Sequence, residues 1–121
     1  MGKIVGIDIG GSTTKIVGFD NGSMFSPILV KATDPLSSMY GAFGRFLNEN
    51  GLQLSDVDHV MVTGVGSTFI EGNIFSIPAY RVDEFLAIGR GGLSLSGLNR
   101  AIIVSMGTGT AYVVADGDRI Q

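Results

Sequence analysis

What most constrains this chain is a pattern written twice: an apolar strand, a glycine-rich turn carrying hydroxyls, and a second strand. The first copy is Lys3-Ile4-Val5-Gly6-Ile7-Asp8-Ile9-Gly10-Gly11-Ser12-Thr13-Thr14-Lys15-Ile16-Val17-Gly18-Phe19-Asp20. The second is Ala101-Ile102-Ile103-Val104-Ser105-Met106-Gly107-Thr108-Gly109-Thr110-Ala111-Tyr112-Val113-Val114. Glycine lets the backbone approach an anion closely and take dihedrals other residues avoid, so successive amide N–H groups can converge on one oxyanion. The residues after each turn are mostly β-branched or aromatic, which predicts strand–turn–strand rather than strand–turn–helix. Two such turns suit two parts of one polyphosphate.

That geometry separates the chain from two commoner phosphate-binding signatures. No G-x-x-x-x-G-K-[ST] string occurs, and no G-x-G-x-x-G, because Gly64 and Gly66 are followed by Phe69, and Gly107 and Gly109 by Tyr112. In the first copy Asp8 ends its strand at the turn, where a carboxylate facing phosphate makes sense only with a cation such as Mg²⁺ between them. Lys15 supplies a point charge, and Ser12, Thr13, Thr108 and Thr110 add hydroxyl donors. Either turn alone is more often a plain hairpin; the pair, with Asp8 and Lys15 in register, favours phosphate. Asp8 follows Ile4-Val5-Gly6-Ile7, a run heading into the core, so its carboxylate is expected to be buried with a partner.

Punctuation sets the coarse organisation. Residues 4–9, 15–19 and 24–31 read as three strands, with Asn21-Gly22 a strong hairpin turn between the second and third. Asp34 can cap and Pro35 can start a helix ending near Gly51, with Leu36, Met39, Phe43 and Leu47 at helical spacing. Residues 57–63 form a buried-type strand, a turn or short helix leads on to Pro78, and Tyr80-Arg81-Val82 is a brief strand. A helix over residues 83–98 contains Gly89, Gly91, Gly92 and Gly97, each costing about 1 kcal/mol relative to Ala, which points to close packing or substrate contact. Residues 101–105, 111–115 and 119–121 make a second strand group, turned at Asp116-Gly117. The sum is a mixed α/β sheet with helices on it.

Composition closes off other classes. With 45% hydrophobic residues in 121, there is ample material for a core. The net charge is −3 and the eight basic residues are scattered, which offers no face for nucleic acid. The absence of cysteine excludes disulfides and thiolate metal sites, and no apolar run approaches a membrane span. A soluble, cytoplasmic protein is expected, with a homodimer left open.

The string Asp-x-Gly-Gly-x-x-x-Lys between two strands, followed later by Gly-x-Gly-x between two more, resembles the phosphate motifs of the superfamily of sugar kinases, heat-shock chaperones and actin. Three further strings, Val62-Thr63-Gly64-Val65-Gly66-Ser67, Val82-Asp83-Glu84-Phe85 and Val104-Ser105-Met106-Gly107-Thr108-Gly109-Thr110-Ala111, are similar in order and spacing to type II pantothenate kinases. The resemblance implies an α/β, ribonuclease H-like (actin-like ATPase) domain with a mixed sheet flanked by helices. Residues 1–121 would be its N-terminal lobe, with a second lobe following residue 121. It implies ATP and Mg²⁺ as cofactors and pantothenate as the small-molecule acceptor, phosphorylated on its primary hydroxyl in the first step toward coenzyme A.

On that pattern Gly10, Gly11, Ser12, Thr13 and Lys15 would hold the outer phosphates, and Asp8 would orient Mg²⁺ through water. Gly107, Thr108, Gly109 and Thr110 would hold the phosphate chain from the other side, and Glu84 would be the general base. On residue types alone, an Asp-Glu pair opening a helix is more often a capping arrangement, and Asp83 is the runner-up base. Some relatives carry a second acid where this chain has Leu86. Thr63, Gly64, Gly66 and Ser67 either contact the acceptor and shape its site or merely turn the chain. Arg90 reads as solvated, His59 as a surface residue, and Tyr40, Phe43, Phe46, Phe69 and Phe85 as core. Two rival readings are an ATPase that activates 2-hydroxyacyl-CoA dehydratases, which uses cysteine at a cluster, and a non-catalytic actin-like ATP-binding module. A sugar kinase would be expected to show an Asn-Asp pair that is missing here.

Overall fold

The computed structural model describes residues 2–121. The chain divides into two compact units, one running through Arg81 and the other Val82–Gln121.

The first unit opens with three antiparallel strands, β1 (Lys3–Ile9), β2 (Thr13–Asp20) and β3 (Ser23–Lys31). Asn21 and Gly22 both take positive φ, 52° and 82°, the two-residue turn whose twist matches the strands it joins. Helix α1 (Pro35–Glu49) follows, with Asp34 as N-cap accepting from the Ser37 amide at 2.9 Å and Pro35 preset for the first helical position. It carries the chain to β4 (Val57–Thr63), which pairs parallel with β1, as a crossover helix permits. After a 3₁₀ turn at Val65–Phe69 come β5 (Asn73–Ile74) and β6 (Ile77–Arg81), giving a mixed six-stranded sheet in the order β3-β2-β1-β4-β6-β5.

Alternation decides which face is core. Val5, Ile7 and Ile9 of β1, Ile16 of β2 and Val60 and Val62 of β4 are buried with Met39, Ala42, Phe43, Phe46 and Leu47 of α1. Leu36, expected on that helical face, is 37% exposed at the helix start. The Phe25 and Phe46 rings, 5.6 Å between centroids, press on Gly18, where a β-carbon would come within 2.7 Å of both. Phe69 is exposed instead of core, and Tyr40 packs at the surface edge-on to Phe75, 4.7 Å between centroids.

The second unit holds α2 (Glu84–Ser96) and three antiparallel strands, β7 (Arg100–Met106), β8 (Thr110–Asp116) and β9 (Arg119–Ile120). This strand group forms its own sheet, β7-β8-β9, and does not extend the first. The helix's glycines are explained by close approach: a β-carbon on Gly89 would strike Ile120, and one on Gly92 would strike Ile103. Gly97 ends the helix in the left-handed conformation, its amide donating to the Leu93 carbonyl. Phe85 stands one turn before Gly89 and is exposed, so it too is not core. The other face of this sheet presents Ile102, Val104, Met106, Tyr112 and Val114 to solvent.

Candidate functional site

Because side chains alternate along a strand, the same periodicity that buries Val5, Ile7 and Ile9 sends Asp8 to the face of the sheet away from α1. Asp8 is therefore not the core carboxylate the sequence suggested: its side chain is 35% exposed. Lys15 is in register with it, as expected. Antiparallel register sets Asp8 directly opposite Lys15, whose Nζ lies 3.5 Å from Asp8 Oδ2 and donates to Thr13 Oγ1 at 3.0 Å. Parallel register on the other side sets Asp8 beside Thr63. Lys15, Asp8 and Thr63 thus form one row across β2, β1 and β4.

The turn above this row is closed by its own backbone. The Gly10 amide donates to the Thr13 carbonyl at 3.0 Å, and a β-carbon on Gly10 would sit 2.7 Å from that oxygen. Gly10 consequently shapes the turn and has no free N–H for an anion. Gly11 stands in open space, with nothing within 4 Å of a β-carbon built on it, and the Ser12 carbonyl accepts from the Ala32 amide at 2.9 Å. The second copy repeats the device: the Gly107 amide donates to the Gly109 carbonyl at 2.9 Å, while Gly107 and Gly109 both face open space. Thr108 and Thr110 are exposed beside them, Thr110 pairing with Met106 at the start of β8.

The loop after β4 does more than turn the chain. Gly64 has φ 92° and ψ 170°, a conformation that is essentially glycine-only. A β-carbon there would lie 2.4 Å from Asp8 Oδ1 and 2.6 Å from the Ile9 carbonyl oxygen, and one on Gly66 would strike the Ile9 side chain. Ser67 Oγ donates to the Gly64 carbonyl at 2.7 Å, locking the turn. The sequence flagged these residues without joining them to Asp8; the signal was Thr63-Gly64 at the end of a strand that pairs with the one bearing Asp8.

In the second unit Asp83 is the N-cap of α2, accepting from the Leu86 amide at 3.1 Å. That hydrogen bond occupies the runner-up base. Glu84 opens the helix with its side chain exposed. His59, half-buried, meets Asp58 Oδ2 through Nδ1 at 2.7 Å, a local pair apart from the row. Among the described residues no three acidic or histidine side chains cluster as a metal site, and no helix is long and apolar enough to cross a membrane.

The fold is ribonuclease H-like (the actin-like ATPase fold), with a mixed sheet flanked by helices. No family model and no curated protein matches the sequence. Among solved structures, the activator of 2-hydroxyisocaproyl-CoA dehydratase from Clostridium difficile with bound ADPNP is similar at a TM-score of 0.66 and 20% identity, over 76% of this chain and 33% of that one. The (R)-2-hydroxyglutaryl-CoA dehydratase component A of Acidaminococcus fermentans aligns at 0.66 and 17%, over 96% and 48%. The ROK hexokinase of Thermus thermophilus aligns at 0.65 and 16%, over 98% and 47%. The chain therefore spans between a third and half of the length of these structures.

Proposed function

We propose that this protein is the nucleotide-phosphate-binding part of a cytoplasmic, ATP-dependent phosphotransferase whose acceptor is pantothenate. The observation that carries the phosphate site is the meeting of Asp8, Thr13 and Lys15 on one open strand face beneath the turn at residues 10–13. In this reading Lys15 and the turn at Gly11, Ser12 and Thr13 hold phosphate oxygens, with Gly10 keeping the turn's shape. The turn at residues 107–110 is a second phosphate loop in its own right. In this reading residues 1–121 are the N-terminal lobe of the enzyme, containing two units with separate sheets.

Mg²⁺ fits the residues present. It commonly takes one or two carboxylates plus water and substrate phosphates, and the single half-exposed Asp8 beside a phosphate turn is a donor set of that kind. Bound there, Mg²⁺ would neutralise charge on the phosphates; Asp8 would orient it. Glu84, exposed and free of the capping duty Asp83 performs, would take the proton of the acceptor hydroxyl. Pantothenate rests on the likeness of the strings at Thr63, Glu84 and Gly107 to type II pantothenate kinases.

The likeness to the dehydratase activators favours a second reading, an ATPase that hydrolyses nucleotide without a small acceptor. Titration calorimetry with ADP and Mg²⁺, followed by ADP release with and without pantothenate, separates the two. Pantothenate-dependent ADP formation supports the kinase. ADP formation indifferent to pantothenate supports the activator, and no Mg²⁺-dependent nucleotide binding at all would remove both.

A further inference from the structure

Two buried hydroxyl oxygens have no hydrogen-bond partner among the described residues, those of Thr14 and Thr63. An unsatisfied buried group of this kind costs a protein appreciable stability, so each calls for a reason. Thr14 is fully buried on the core side of β2, in line with Ile16 and away from the row of Asp8 and Lys15. Thr63 lies on the other side, in the row with Asp8 and Lys15.

We propose that Thr63 is a positioning residue for Asp8: its hydroxyl donates to the Asp8 carboxylate once phosphate has drawn Lys15 away. The inference rests on the phosphate-site reading above and goes beyond it by assigning the residue that keeps the carboxylate aimed at the cation. Adjacent strands in a sheet lie about 4.8 Å apart, so Asp8 is flanked at close range by Lys15 on one side and Thr63 on the other. Without ligand, the Lys15 ammonium is shared between Thr13 Oγ1 and Asp8 Oδ2. A phosphate competes for that ammonium and leaves Asp8 without its counter-charge. The Thr63 hydroxyl is sealed from solvent, so only a group already beside it can satisfy it, and the carboxylate in its own row is that group. Gly64 reinforces the assignment, because the backbone following Thr63 runs so close to Asp8 Oδ1 that a β-carbon does not fit.

The test compares Thr63→Val, which keeps the shape and removes the hydroxyl, with Thr63→Ser, which keeps the hydroxyl. ADP affinity is measured by calorimetry in excess Mg²⁺ and again in EDTA, alongside the melting temperature of each ligand-free protein. The expected result is a loss of about 10–150-fold in Mg²⁺-supported affinity for Thr63→Val, the span of one hydrogen bond to a charged group. The loss in EDTA should be several-fold smaller, since no cation then needs the carboxylate aimed, Thr63→Ser should lie within about twofold of wild type, and ligand-free Thr63→Val should melt no lower than wild type. Equal losses with and without Mg²⁺, no loss in either, or a loss that Thr63→Ser fails to restore would each overturn the assignment while leaving the phosphate site standing. Wild-type protein that binds no ADP in Mg²⁺ would instead overturn the phosphate site, and this inference with it.

Discussion

Gly64→Ala tests whether the loop after β4 is held against Asp8 and Ile9 as tightly as the geometry requires. Two costs add. The backbone at φ 92°, ψ 170° lies where residues with a side chain are strained by about 1–3 kcal/mol. The new β-carbon would also arrive 2.4 Å from Asp8 Oδ1 and 2.6 Å from the Ile9 carbonyl oxygen. The carboxylate can swing aside, but the carbonyl belongs to a strand paired on both sides, so the backbone must move at a further cost of about 1–3 kcal/mol. Together these give roughly 4 kcal/mol, a large part of a small domain's stability. For a unit of this size the melting midpoint should fall by roughly 15–30 °C. Thermal unfolding by far-UV circular dichroism, paired with guanidinium denaturation, reads both quantities. Gly11→Ala is the control, since a β-carbon there meets nothing within 4 Å, and its stability should stay within about 0.5 kcal/mol of wild type. A Gly64→Ala protein as stable as that control would refute the reasoning.

Other variants separate the roles assigned above. Lys15→Ala should weaken ADP binding about 10–100-fold, the value of a charge-assisted hydrogen bond, with little change in unfolding because its pair with Asp8 is half exposed; unaltered binding by calorimetry would remove Lys15 from the site. In the intact enzyme Glu84→Gln should cut acceptor-dependent turnover by about 10²–10⁴ while nucleotide affinity holds, and unchanged turnover would exclude Glu84 as base. Phe46→Ala should cost about 3–5 kcal/mol, because the ring is fully buried against Phe25 and Gly18; denaturant titration reads the loss, and a cost under about 1 kcal/mol would contradict the packing. The Asp34 carboxyl is held below its ordinary value by hydrogen bonds from Ser37, the backbone one first. Its contribution to stability is therefore complete above that ordinary value and is lost as pH falls through the lowered one. Asp34→Ala should lower stability at neutral pH and flatten the acid side of the melting-temperature profile, and a profile identical to wild type would show that the cap does not matter.

Much of this molecule could be read along the chain because the relevant physics is local. Asn21-Gly22 dictates a tight hairpin turn, Asp34-Pro35 starts a helix, and the alternation in β1, β2 and β4 marks them as strands, whatever lies elsewhere. The facing of Asp8 and Lys15 was equally legible, since a short turn between two strands determines which residues stand opposite. Glycine density in α2 signalled close packing, but which strand residues filled the space could not be known until Ile103 and Ile120 were brought there.

Tertiary structure decided what depends on partners distant in sequence. Asp8 faces the open side of its sheet because α1 claims the opposite face, and a strand's periodicity alone does not say which side a helix will cover. Phe69 and Phe85 are as hydrophobic as Phe43, yet only Phe43 sits where the sheet and α1 meet. Thr63 comes beside Asp8 only through a parallel pairing across more than fifty residues. Sequence by itself determined the strands, turns and helix starts, whose energetics are spent within a few residues; the fold alone determined which side chains meet, because contact across the sheet depends on register between strands that the chain order does not join.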